Sequence, residues 1–145
     1  MAMMLIAICA PLCLAQDKGY WRATSSAAND ITGDITVSET RLVISFNGFP
    51  MAQIRKITPA EASAAFGADI SEGGVGFLYR LDVPATRRFL HHNTLCGSED
   101  TQWMATYVTG RTMQAAFFSG DNMPVITAEA LANSTDVCGT FGYSR

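Results

Sequence analysis

The sequence predicts a mainly β protein, a small antiparallel barrel or sandwich of seven to eight strands with one or two short helices. Apolar residues recur with period two in runs separated by short, turn-rich intervals. Only the residues after Thr58 and those after Thr127 switch to helical spacing, and neither stretch exceeds about two turns. The chain has 145 residues, 48% hydrophobic and 16% charged, enough for one enclosed core and too apolar for a long disordered tail.

Met1 to Ala15 contains no charged residue and is too short to cross a bilayer core as a helix. It fits the apolar and cleavage regions of a secretory signal peptide, with the cut expected after Ala15 and a single β-rich domain over 16–145. No Lys or Arg precedes the apolar run, which a start codon placed too far downstream would explain, and Leu12 stands where a small residue is usual. Cys9 and Cys13 follow Ile8 and Leu12 rather than the small residues of a lipoprotein signal, so both read as apolar residues of a discarded peptide. The expectation is a periplasmic or secreted protein with no transmembrane span.

The first strand is expected around Gly19 to Ala23. Ile31, Gly33, Ile35 and Val37 then alternate with Thr32, Asp34 and Thr36, and Leu42, Ile44 and Phe46 alternate with Val43, Ser45 and Asn47, which together read as a hairpin. Asn47-Gly48 tolerates positive φ and is expected to turn the chain into a strand over Met51 to Ile57. Thr58 can cap a helix with Pro59 in its first position and Glu61 closing a capping box, and Gly67 stops it. The glycine-rich run Ser71 to Gly76 lacks the basic and hydroxyl residues of a phosphate-cradling loop and leads into a strand carrying Phe77, Tyr79 and Leu81, which Pro84 ends. Trp103, Ala105 and Tyr107 share one strand face and Met113, Ala115 and Phe117 another, with Thr109-Gly110 at the turn between them. A second short helix follows Thr127, and the last strand covers Val137 to Tyr143.

With the leader removed two cysteines remain, Cys96 and Cys138, the even count expected of one disulfide in an oxidising compartment. Neither has the close spacing of a redox or zinc motif, so a structural bridge is expected.

Ten basic residues against 13 acidic ones give a formal charge of -3, without the basic stripe that nucleic-acid binding requires. His91 and His92 are the only histidines; neighbours on extended chain project to opposite sides and do not chelate one metal together, so no metal or other cofactor is expected. Ser119-Gly120-Asp121 lacks the nucleophile-elbow pattern, because Phe117 stands where its first glycine belongs. Asp30 with Asp34, and Glu99 with Asp100, are too close in sequence to flank a cleft as paired catalytic carboxylates. Asn133-Ser134-Thr135 matches a glycosylation acceptor to which no role is assigned. The residues best suited to binding are Arg80, Arg87 and Arg88 with Tyr79 and Phe89, which combine bidentate donors with aromatic area and suit an acidic partner or an anionic ligand.

Trp21 to Phe46, with its early tryptophan and Ile31-Thr32-Gly33-Asp34-Ile35, resembles the opening of small secreted bacterial proteins of unassigned function. The early tryptophan, the many short strands and the late cysteine pair resemble, more distantly, lipocalin-like barrels, which include periplasmic inhibitors of hydrolases. The resulting expectation is an exported, non-enzymatic domain that binds an envelope protein or a small ligand, as an inhibitor or accessory protein. The competing reading is a small hydrolase using His91 or His92 with an acidic residue.

Overall fold

The structure, a computed structural model, describes residues 17–145; the expected leader and its two cysteines lie outside the described residues. Eight strands form a closed antiparallel barrel in simple chain order. They are β1 (Gly19–Ala23), β2 (Ile35–Val37), β3 (Arg41–Ile44), β4 (Asn47–Lys56), β5 (Val75–Val83), β6 (Thr101–Thr109), β7 (Thr112–Phe118) and β8 (Val137–Ser144). Of the two expected architectures, the barrel is therefore the one observed. Three short helices accompany it: α1 (Ser26–Ile31), α2 (Pro59–Phe66) and α3 (Ala128–Asn133). None is long and apolar enough to cross a membrane.

Period-two alternation builds the interior. Trp21, Ile35, Leu42, Phe49, Tyr79, Met104, Phe117 and Tyr143 all point inward and pack into one continuous buried cluster. The opposite faces of β5 to β7 are also apolar, and Leu78, Trp103, Ala105, Tyr107 and Phe118 form a second cluster outside the sheet. Ile57, Ala62 and Ile126 complete that cluster, with Phe66 and Leu131 packed against it, so α2 and α3 cover this side of the barrel. A strand covered on both faces reads as a nearly unbroken apolar run, as β6 does from Trp103 to Val108.

The capping box of α2 forms as its residues predict: Thr58 Oγ1 accepts from the Glu61 N–H at 3.1 Å, and Glu61 Oε1 accepts from the Thr58 N–H at 2.9 Å. Gly67 ends the helix in the left-handed region.

Three local expectations are corrected. The β6–β7 turn, expected at Thr109-Gly110, falls at Gly110-Arg111, because Thr109 pairs with Thr112 and Gly110 takes the left-handed position. The seven-residue strand expected over Ile31 to Val37 shrinks to β2, because the Ser25 hydroxyl accepts from the Ala28 N–H at 3.1 Å and starts α1, which runs through Ile31 before Gly33 turns the chain at φ 61°. The turn expected at Asn47-Gly48 falls two residues earlier. Ile44 pairs with Asn47, so Ser45 and Phe46 form a two-residue hairpin tip with φ of 50° and 67°.

The registers sort the connections onto two ends of the barrel. At the lower end lie Lys18, the β2–β3 turn, the α2 connection, the Gly110–Arg111 turn and Arg145. The upper end carries α1, the Ser45–Phe46 tip, the long β5–β6 loop 84–100 and the β7–β8 loop with α3. Closure between β1 and β8 rests on two residue pairs, Arg22 with Ser144 and Ala23 with Tyr143, extended by the Thr24 and Ser25 N–H groups donating to the Gly142 carbonyl at 2.9 and 3.2 Å and by Ser25 Oγ accepting from the Gly142 N–H at 2.9 Å. Cys96 and Cys138 are joined in a disulfide that ties loop 84–100 to the start of β8.

Candidate functional site

The interior is occupied by side chains, and its polar groups are spent on one another. Asp17 enters from the lower end fully buried, its Oδ2 accepting from the Tyr79 hydroxyl and from Thr106 Oγ1, the latter at 2.8 Å. Asp17 Oδ1 has no hydrogen-bond partner among the described residues, and Lys18 Nζ stands 3.8 Å from it while donating to the Tyr79 hydroxyl oxygen at 2.8 Å. Burial, and next the bond to the Asp17 carboxylate, push the Tyr79 phenol well above its ordinary pKa, so it stays protonated as a donor. The indole N–H of Trp21 donates to the Asp17 carbonyl at 2.9 Å, and the Arg145 guanidinium lies over the Trp21 ring at 4.3 Å. Together these contacts plug the lower end.

Loop 84–100 seals the upper end. Phe89 and Leu95 turn inward, and Phe89 packs edge-on against Phe49 with ring centroids 5.9 Å apart. Beyond Phe89 the backbone enters a left-handed pair, His91 at φ 55° and His92 at φ 61°, before the Asn93 side chain donates to the Asp30 carbonyl at 3.1 Å. Non-glycine residues in this region store strain and collect at sites of function. Both histidines are exposed, and neither is paired with a carboxylate among the described residues.

The five residues expected to bind are distributed over three environments. Tyr79 lies in the interior, and Phe89 belongs to the loop seal. Arg80 faces outward, its guanidinium 4.6 Å from the centre of the Trp103 ring and donating to Gln102 Oε1. Arg87 lies 5.7 Å over the Phe49 ring, and Arg88 donates to the Ala85 carbonyl at 3.0 Å. Arg87 and Phe89 thus meet on Phe49, but the five do not form one patch.

A different group of residues does converge. On the outer face of β1 to β3, Tyr20, Asp34, Thr36, Val43, Phe46 and Leu90 line a pocket of about 310 Å³. Phe46 is fully exposed at the hairpin tip, Tyr20 is 55% exposed and Leu90 38%, a concentration of apolar surface that the rest of this face lacks. Leu90 reaches the pocket from the overhanging loop, one residue before the strained histidines, and comes close to Gly33, where an added Cβ would lie 3.1 Å from its Cδ1. Asp34 forms the polar wall: Oδ1 accepts from the Ala23 N–H at 2.9 Å and Oδ2 accepts from the Tyr20 hydroxyl. Those bonds, the Tyr20 one foremost, hold the Asp34 carboxyl below its usual range and raise the Tyr20 phenol above its own.

Among the described residues no three His, Cys, Asp or Glu side chains gather as a metal site would need. No family model, curated protein or solved structure matches the chain.

Proposed function

We propose that this protein is an exported, non-enzymatic binding domain that engages a protein of the cell envelope, as an inhibitor or accessory protein, through the upper hairpin tip. The observation that carries the reading is Phe46. A large aromatic side chain stands fully in solvent on a backbone that favours glycine or asparagine, flanked by Tyr20 and Leu90. Such a residue costs stability in the free protein and gains contact area only when something covers it. A two-residue tip on a closed sheet also presents its anchor with little entropy left to lose on binding.

The up-and-down order of eight strands supports the likeness to lipocalin-like barrels. The side-chain-filled interior favours an outer binding face over an enclosed ligand. The disulfide accords with an oxidising compartment and so with export. The hydrolase reading gains no such support, since neither histidine has a carboxylate partner among the described residues.

Site-specific photo-crosslinking in intact envelopes tests the reading. A crosslinker at position 46 should give one discrete adduct, and one at Arg111, at the opposite end, should give none. Phe46→Asn should weaken capture of that adduct's partner at least about tenfold while leaving the melting temperature unchanged or slightly raised, since asparagine tolerates the left-handed conformation. Equal adducts from both ends, or no change on Phe46→Asn, would overturn the proposal.

A further inference from the structure

The aromatic tip stands beside a fixed carboxylate, and the pair have a chemistry more specific than apolar contact. Asp34 is the only charged residue lining the pocket between Tyr20, Phe46 and Leu90, and both of its oxygens are already oriented by donors from β1. A carboxylate held by a backbone N–H and a phenol loses little freedom when it takes one more partner. Two aromatic rings at the rim offer negative faces to a cation, and Val43 and Leu90 supply apolar wall. The Thr36 hydroxyl adds one acceptor. Arg22, outside the pocket, acts electrostatically on both Tyr20 and Asp34, so attraction rests on close contact with Asp34 rather than on a long-range field.

We infer that this pocket takes an alkylammonium group, presented as a lysine side chain of the partner protein, with the ammonium on Asp34, the methylenes against Leu90 and Val43, and the rings of Tyr20 and Phe46 beside it. The inference rests on the proposed partner-binding role of the tip and deepens it. A lysine matches the set because it joins a compact cation to an apolar stem. At about 310 Å³ the space stands at the lower bound of small-ligand sites, the right order for one side chain rather than a whole cofactor.

Amide chemical shifts of the full domain, followed during titration with n-butylammonium and with n-butanol as its neutral isostere, test this directly. The ammonium should give saturable shifts confined to Tyr20, Asp34, Thr36, Val43, Phe46 and Leu90, at an affinity at least about tenfold above the alcohol. Asp34→Asn keeps an oxygen for the Ala23 N–H and should abolish that preference. Phe46→Leu, at an exposed tip where folding is not at stake, should weaken the ammonium several-fold and leave the alcohol unchanged. Equal shifts from the two probes, or an unaltered preference in Asp34→Asn and Phe46→Leu, would overturn the inference. If the position-46 crosslink still forms in that event, the partner reading stands and only the lysine assignment falls; ammonium binding without a crosslink would leave a cation-selective pocket and overturn the assignment to a partner's lysine.

Discussion

The two ends of the barrel are closed by opposite means. Below, the plug is polar: a buried carboxylate shared by Tyr79 and Thr106, a lysine beside it, and an arginine laid over Trp21. Above, the closure is apolar and covalent, with Phe89 and Leu95 tucked inward and Cys96 bonded to Cys138. The turns differ in the same sense. Connections at the lower end place Gly67, Gly73 and Gly110 in the left-handed region, where glycine pays no steric penalty. At the upper end Gly33, Gly97 and Gly120 do the same, but Ser45, Phe46, His91 and His92 occupy that region as well. Among the described residues the upper end alone carries strained non-glycine backbone together with exposed aromatic surface, the combination that the proposed binding role calls for.

The largest test of that contrast is removal of the bridge. The disulfide closes a sequence separation of 42 residues, for which chain entropy alone gives roughly 4 kcal/mol. Cys96→Ala with Cys138→Ala should lower the urea midpoint accordingly, and reductant should then have no further effect. A loss confined to well under about 1 kcal/mol would mean that Phe89 and Leu95 seat the loop unaided. Next in size is the plug. Asp17→Ala leaves the Tyr79 and Thr106 hydroxyls without their buried acceptor and should cost about 2 to 3 kcal/mol, with position-46 crosslinking at saturating partner unaffected. A variant that kept full stability but lost the crosslink would invert the division of labour between the two ends.

The smallest effect is on acidity. Asp34 has its folded pKa lowered, so whatever stability it contributes is present above the unfolded value near pH 3.9 and is lost as pH falls through the lower folded one. Because the Tyr20 hydroxyl is the leading cause, Tyr20→Phe should move the Asp34 carboxyl titration, followed by carbon NMR, back toward the ordinary range. An unmoved titration would mean that the Ala23 N–H alone sets it.

Much of the fold was legible in the residues because its signals are local. Period-two runs mark β3, β5 and β7, Thr58-Pro59-Ala60-Glu61 marks the start of α2, and an even cysteine count after Ala15 marks the bridge. The site was less legible because it depends on which of two adjacent signals wins. Asn47-Gly48 is the stronger turn dipeptide, and a tip there would also set Leu42 and Ile44 on one face with Phe49 and Met51, so their burial does not choose between the two; the tip stands at Ser45-Phe46, and Phe46 leaves the apolar alternation and stands outside. Tyr79 and Arg80 are neighbours in sequence but face opposite sides of β5, and an arginine stacked on Trp103 reads in sequence like a free one. Nothing local tells that Leu90, from a loop 70 residues beyond Tyr20, completes the pocket.

The seam between β1 and β8 has a consequence of its own. Each of the seven other junctions holds at least three consecutive ladder pairs, whereas this one holds two, extended by bonds between Thr24, Ser25 and Gly142. A cylinder breathes where its wall is thinnest, so thermal opening would part β1 from β8 first and bare both strand edges at once. In crowded or partly denatured samples that slit is the place where a second molecule would lend a strand, making it the origin of any exchange dimer or aggregate this chain forms.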